Sequence, residues 1–385
     1  MRIGIFSESY DPVVNGVTVS ILNLTRELRK LGHEIFVFAP GIRGHVDVEN
    51  TTIRFPSVRT WKARDYPLAI PYLYRLTHKV KALDLDVIHT HTPFMLGRLG
   101  LKMAKKLDIP LVSTNHTQYI QYAHYFPLAP RSATRRVIVK YMNWYYNRCD
   151  SIIVPSKPIL DMLRSYGVQS PVSVIPTGIA LDIAVGPEAR PSVRRQHGIP
   201  ADAKVLLYVG RLAREKNMDL LFTSFKRLTR KHKDAYLLLV GDGPYESGCR
   251  DLCTELKLDG RVVFVGPVPI KEVAKYYVAG DLFTFPSISD TQGLVLWEAL
   301  QAGVPCVAVN AGGAPEMLVD GEDSLLAENC PEDFAAKVDI LLTDHDLRRR
   351  FCEQAVKNGS HFHPREMAAR VLEVYESVIR PEQVG

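Results

Sequence analysis

The sequence predicts an α/β protein built as two doubly wound, Rossmann-like halves, each a parallel sheet covered by helices. Three observations carry that expectation. Apolar runs of strand length alternate with longer stretches of helical period along the whole chain. The alternation is interrupted near residue 180 by a stretch bearing proline and glycine, and then restarts. At 385 residues, 46% hydrophobic and 23% charged, the chain is long enough to fill two separate cores.

In the first half the apolar runs at residues 3–6, 35–38, 87–89, 111–114, 151–154 and 172–175 read as buried parallel strands, with helical stretches at 19–31 and 71–81 between them. The second half repeats the pattern at 205–209, 236–240, 262–265, 282–285 and 306–309. Pro176, Thr177, Gly178 and the polar stretch up to Pro200 read as a hinge. The predicted division is 1–180 against 181–364, and residues 365–379 form a last amphipathic helix.

Composition excludes several classes. No apolar run approaches 18 residues, so no membrane-spanning helix is expected. The chain opens on the strand-like MRIGIF without a charged leader and apolar signal core. Cysteines 149, 249, 253, 306, 330 and 352 show no CxxC spacing and read as reduced thiols in a cytoplasmic protein. The net charge of +6 is divided unevenly: 23 Lys and Arg against 12 Asp and Glu in residues 1–180, 25 against 30 in residues 181–385. The first half is therefore expected to meet an anionic partner. No recognition motif makes that partner a nucleic acid.

Residues 286–316, PSISDTQGLVLWEALQAGVPCVAVNAGGAPE, carry the most chemistry. Asp290 and a glycine precede a helix that begins at Gly293 and Leu294 and carries Glu298. Bare N–H groups at a helix start, together with the positive end of its dipole, make a seat for phosphate. Flanking carboxylates accept hydrogen bonds from hydroxyls. Phosphate beside polyol describes a nucleotide sugar.

The strand at 205–209 runs into GRLAREKN, where Arg211 and Lys216 can converge on a diphosphate, the guanidinium as a fork of donors and the ammonium as a point charge. In SESYDPVVNGVTVS, Gly16 is expected to make a left-handed turn and admit a ligand close to the backbone. It is not a dinucleotide fingerprint, because GxGxxG is absent. His116 follows the strand at 111–114, and a histidine at a strand's carboxyl end faces the ligand side of such a sheet. His89 and His91 share one strand face, where a lining or core role is preferred to a metal pair, since no third ligand is evident. The turns Gly241–Gly243, Gly266–Val268 and Gly312–Gly313 each follow a predicted strand.

Taken in order, these motifs resemble the retaining, family-4 type of GT-B glycosyltransferase over nearly the whole chain. The resemblance implies that Arg211 and Lys216 hold the leaving diphosphate, that Glu298 binds the ribose and Asp290 the sugar, and that His116 lies near the reacting carbon. It also implies donor contacts at Gly16, Val268, Gly293 and Leu294, a final helix that crosses back to the first domain, and no metal or other cofactor. The family usually has Glu where this chain has Asp290. Asp is one methylene shorter, so its carboxylate sits differently or reaches through a water.

The acceptor is less defined. Residues 131–148, RSATRRVIVKYMNWYYNR, mix Arg131, Arg135, Arg136, Lys140 and Arg148 with apolar and aromatic residues and contain no acid. Such a segment can lie on an anionic membrane or bury one face in a core. The order HTHTPF, NHTQYIQYAHYF, NRCDSIIVPS and VIPTGI is most similar to bacterial diacylglycerol glucosyltransferases. That resemblance implies UDP-glucose as donor and a lipid hydroxyl as acceptor, with peripheral attachment to the inner face of the cell membrane. A GDP-mannose-dependent lipid mannosyltransferase, a sugar-to-sugar transferase and a binder that has lost catalysis are the alternatives.

Overall fold

The computed structural model describes residues 1–13, 15–47, 50–60, 63–70, 76–120, 131–179, 185–359 and 363–379, with only the backbone at 59, 60, 63–68 and 131. The chain divides into two compact units, Met1–Gly178 with Phe362–Gly385, and Ile179–His361.

The first unit runs β1 (Arg2–Phe6), α1 (Gly16–Lys30), β2 (Glu34–Pro40), β3 (Thr52–Phe55), β4 (Ser57–Thr60), β5 (Ala63–Ala69), α2 (Leu76–Ala82), β6 (Val87–Thr90), α3 (Met95–Leu107), β7 (Leu111–Thr114), α4 (Arg131–Tyr146), β8 (Ser151–Val154), α5 (Lys157–Ser165) and β9 (Val172–Val174). Seven strands form one parallel sheet in the order β3-β2-β1-β6-β7-β8-β9, while β4 and β5 pair as a separate antiparallel ribbon. Strand order therefore reverses between β1 and β6, the switch point where open sheets of this kind bind ligands beyond the strands' carboxyl ends. Of the helix expected at 71–81, residues 71–75 lie outside the described residues.

The second unit continues with α6 (Ala189–Gln196), β10 (Lys204–Val209), α7 (Met218–Leu228), β11 (Ala235–Val240), α8 (Glu246–Glu255), β12 (Val262–Gly266), α9 (Ile270–Ala279), β13 (Leu282–Phe285), α10 (Leu294–Gln301), β14 (Cys306–Val309), α11 (Ala314–Met317), β15 (Ser324–Ala327), α12 (Pro331–Thr343) and α13 (His345–Gly359). Its six strands are all parallel, in the order β12-β11-β10-β13-β14-β15, and the reversal falls between β10 and β13.

The last helix, α14 (Pro364–Val378), returns to the first unit. Met367, Ala368, Val371, Val374 and Tyr375 join Ile3, Ile5, Ile21, Leu24 and Leu28 in one core on a face of that sheet. A second core, with Phe6, Phe38, Leu99, Tyr145 and Ile152, fills the opposite face. Burying large apolar side chains contributes about 1.5–3 kcal/mol each, so α14 is an integral part of the first unit.

The expected hinge needs correction. Within it Ala189–Gln196 is helical, and residues 180–184 lie outside the described residues. Arg194 is buried, with its guanidinium bound to Asp281 and to the carbonyls of Ala201, Ala203 and Ala279. Charge-assisted bonds of this kind tie the helix to the second unit. No helix among the described residues is long and apolar enough to cross a membrane.

Candidate functional site

In the second unit, the candidate residues sit beyond the carboxyl ends of β10 and β13, the two strands that flank the reversal. The chain leaves β10 through Gly210, whose φ of 149° favours glycine, and reaches Arg211. The Tyr208 hydroxyl donates to the Arg211 carbonyl at 2.9 Å, and Leu212 N–H donates to Asp242 O at 2.7 Å. A Cβ on Gly241 or Gly243 would collide with the backbone of Gly210 or Leu212, so the GDGP turn is what lets the Arg211 loop pack down.

Three contacts then stitch this loop to the one that follows β13. Lys216 Nζ donates to Asp290 Oδ1 at 2.6 Å, Ser289 Oγ donates to Glu215 O at 2.9 Å, and Asn217 Nδ2 donates to Pro286 O at 3.1 Å. The loop is held from its other side by Gly313 N–H, which donates to Asp290 O at 2.9 Å. A side chain at Gly312 or Gly313 would strike the carbonyls of Asp290 and Thr291, which explains the paired glycines in GGAPE.

Asp290 thus lies directly against Lys216, despite being the shorter acid. Among the described residues its other oxygen, Oδ2, is buried without a hydrogen-bond partner. A buried acceptor left open costs free energy and is characteristic of a place a ligand fills. Arg211 pairs at 3.4 Å with Glu215, whose side chain is only 5% exposed. Sequence reasoning missed Glu215, because an acid between an Arg and a Lys reads as an ordinary solvated turn.

Gly293, in the left-handed conformation at φ 76°, caps α10, and Leu294 opens the helix. The first N–H groups of that helix have no partner within it. Glu298, one turn further along, accepts a hydrogen bond from the Tyr277 hydroxyl at 2.7 Å. Burial pushes its carboxyl up to about 7, against the Tyr277 bond, which favours the anion. Tyr277 comes from α9, a helix that carried no sequence signal for the site. Val268 lies in the loop between β12 and α9.

In the first unit, the expectation for Gly16 is corrected. Gly16 is the first residue of α1 and has helical backbone, so no left-handed turn forms there. The physical reason is Asn15, whose Oδ1 accepts the N–H of Thr18 at 3.0 Å and caps the helix, while its amide donates to Ser9 Oγ at 2.6 Å. The glycine loop is consequently a helix start.

His116 stands just past β7 and keeps part of its surface exposed, while His89 and His91 are buried in the unit's core. His91 Nδ1 lies 2.9 Å from His116 Nε2. Desolvation lowers all three imidazoles, His89 to about 3 and His116 to about 4, so the cluster is neutral at physiological pH. Glu8, beyond the end of β1, was not anticipated. Its Oε1 accepts the N–H of Leu96 at the start of α3, and burial pushes its carboxyl up to about 7.

The expected membrane segment has two characters. Met142, Tyr145 and Tyr146 of α4 are core residues, whereas Arg135, Arg136, Lys140 and Trp144 are exposed. Of Arg131 only the backbone is described. Trp144 lies beneath the guanidinium groups of Arg98 and Arg148, at 5.7 and 4.8 Å from its ring. Residues 121–126 of NHTQYIQYAHYF lie outside the described residues.

Two parallel-sheet units, one carrying cations, carboxylates and a helix start at its switch point, define the class as a glycosyltransferase of the GT-B type. Residues 14–183 match the Glycosyltransferase Family 4 signature and residues 189–358 match the Glycosyl transferases group 1 signature. The chain belongs to this glycosyltransferase family. It is 36% identical over 314 residues to an alpha-monoglucosyldiacylglycerol synthase of Streptococcus pneumoniae, covering 80% of this chain and 71% of that protein. It is 28% identical over 393 residues to a GDP-mannose-dependent alpha-mannosyltransferase of Corynebacterium glutamicum, covering 100% and 90%. In three dimensions it is similar to Anabaena Alr3699/HepE, solved in complex with UDP and glucose, with a TM-score of 0.78 at 20% identity over 98% and 100% of the two chains.

Proposed function

We propose that this glycosyltransferase moves a glucosyl group from UDP-glucose to the hydroxyl of diacylglycerol, with retention of the α configuration and without a metal ion. The carrying observation is the stitched cluster of Arg211, Lys216, Asp290 and Glu298 beside the start of α10. Arg211, Lys216 and the amides at Gly293 and Leu294 take the diphosphate. Asp290 keeps Lys216 on Oδ1 and accepts a sugar hydroxyl on Oδ2. Glu298 accepts from the ribose hydroxyls, backbone groups near Val268 meet the base, the helix start at Gly16 meets the donor, and His116 faces the sugar.

In the reaction the bond from the anomeric carbon to the diphosphate oxygen breaks, and the acceptor oxygen bonds to that carbon from the same side. The acceptor's proton passes to the leaving phosphate, releasing UDP and the glucosylated lipid. Cations and amides already in place stabilise the charge that develops on the leaving group, which is the role a divalent ion has elsewhere. UDP-glucose is an α-glucoside, so the α product in the Streptococcus relative's name supports retention.

The lipid acceptor is supported by the same name and by the exposed basic and aromatic side of α4, which suits peripheral binding to an anionic membrane. The Corynebacterium relative favours a second reading, in which GDP-mannose is the donor. The test is a panel of UDP- and GDP-sugars offered with diacylglycerol vesicles or with simple sugars, and products read by mass spectrometry. Glucosyl-diacylglycerol from UDP-glucose is expected, insensitive to a chelator. Transfer from GDP-mannose alone, or only to free sugars, overturns the reading.

A further inference from the structure

We propose that His91 is the positioning residue of His116, fixing its ring plane and its tautomer, with His89 and Tyr375 bracing His91 from behind. The proposal deepens the reading above, in that it rests on His116 facing the sugar.

The geometry begins at the C-terminal helix. The Tyr375 hydroxyl lies 2.7 Å from His89 Nδ1, and the Thr114 hydroxyl lies 2.7 Å from His89 Nε2. With both nitrogens engaged, the His89 ring cannot flip without breaking two buried hydrogen bonds. Its ring centroid is 4.1 Å from that of His91, and His91 in turn stacks on His116 at 5.2 Å with the planes 15° apart. The backbone on both sides is equally fixed. His91 N–H donates to Phe6 O at 2.9 Å, and Asn115, next to His116, donates from its backbone to Ile153 O and from its amide to the Tyr146 hydroxyl.

The proton inventory sets the tautomer. Each neutral imidazole carries one N–H, and a single proton lies between His91 Nδ1 and His116 Nε2. Among the described residues, His91 Nε2 is buried without a hydrogen-bond partner. Leaving a lone pair bare there costs less than leaving a bare N–H, since orphaned buried donors are the rarer case. The shared proton therefore belongs to His91 Nδ1, which donates to His116 Nε2. His116 keeps its own proton on Nδ1 and presents a neutral donor at that atom. Without His91 the Nε2 of His116 loses the donor that keeps it unprotonated and the ring loses one stacking face, the kind of loss ligating histidines suffer when their outer partner is removed.

The experiment compares His91→Phe, which keeps the volume and the stack, with His91→Asn, whose amide can occupy the Nδ1 position. Each is measured alone and with His116→Ala, using UDP-glucose and diacylglycerol vesicles, alongside the imidazole 15N spectrum of the full chain. His91→Phe is expected to lower kcat about 10- to 100-fold by analogy with outer-shell partners of ligating histidines, with KM for UDP-glucose little changed. His91→Asn recovers most of that loss. In the His116→Ala background, His91→Phe adds almost nothing, because the two act through one bond. The spectrum shows a single neutral Nδ1–H tautomer for His116, which becomes a mixture in His91→Phe.

Undiminished kcat in His91→Phe, an equal loss in the His116→Ala background, or a loss that Asn leaves unrepaired overturns the proposal. If His116→Ala itself retains full activity, the reading of His116 falls instead. The spectrum then decides alone: an unchanged His116 tautomer in His91→Phe overturns the positioning role, and a mixture sustains it.

Discussion

In the second unit charge holds the candidate groups, Lys216 on Asp290 and Arg211 on Glu215; in the first, uncharged rings and hydroxyls do so, through Tyr375, His89, His91 and His116. The difference follows from what each is proposed to meet. A departing diphosphate gains one unit of negative charge as its bond to the sugar breaks, and fixed cations and amides stabilise it. A neutral sugar needs orientation, which uncharged hydrogen bonds supply without attracting stray anions. Charge also demands counter-charge, so the cations of the second unit come with their own acids.

The comparison breaks most visibly at Arg211. Arg211→Ala is expected to lower the transfer rate by about 100- to 1,000-fold, as loss of one oxyanion donor does; an initial-rate assay with undiminished turnover removes the charge clamp from the second unit. Glu298→Gln keeps the shape and halves the accepting capacity, and a rise of about tenfold in donor KM is expected from losing a charged hydrogen bond. Titrating donor against UDP release checks it.

A smaller effect is expected on the first unit's basic surface. Arg135→Ala and Arg136→Ala should each weaken partition to anionic vesicles by about 1 kcal/mol. The difference should fade at high salt and leave UDP binding unchanged. Flotation at two salt concentrations separates this from a packing defect.

A separate effect is on stability against pH. Glu8 and Glu298, one in each unit, have carboxyls raised from 4.5 to about 7 in the folded chain. Between those values the native state holds protons that the unfolded state has released, so stability falls as pH rises through the window. Glu8→Gln and Glu298→Gln should each flatten the decline in Tm over that range, and a steeper decline in either variant refutes the assignment.

Much of the fold is legible in the chain because buried parallel strands read as uninterrupted apolar runs, and the runs at 111–114, 282–285 and 306–309 coincide with β7, β13 and β14. The strands β3, β4 and β5 escaped for the opposite reason: Arg54, Arg59 and Arg64 interrupt them, and two of them form a ribbon apart from the sheet. The strand β15 escaped because it opens on Ser324, leaves Leu325 and Leu326 only half-buried, and is flanked by Glu322, Asp323 and Glu328, so no uninterrupted apolar run marks it. The site divides in the same way. Arg211, Lys216, Asp290 and Glu298 belong to local motifs and could be read from spacing. Glu215, Tyr277, Glu8 and Tyr375 gain their meaning only from what the fold sets beside them, over as many as 286 residues in the case of Tyr375 and His89. Gly16 was misread because Asn15-Gly16 serves equally as a turn or as a helix cap, and only Thr18 decides between them.

The late position of α14 in the chain has a consequence for biosynthesis. During translation the strands of the first unit emerge before every residue of the second, yet one face of their sheet, packed by α1, remains incompletely covered until Met367–Tyr375 has been made. The unit begun first is thus completed last, and a ribosome stalled anywhere in the second unit leaves a nascent chain whose core around Ile3, Ile21 and Leu24 lacks the α14 side chains that close it.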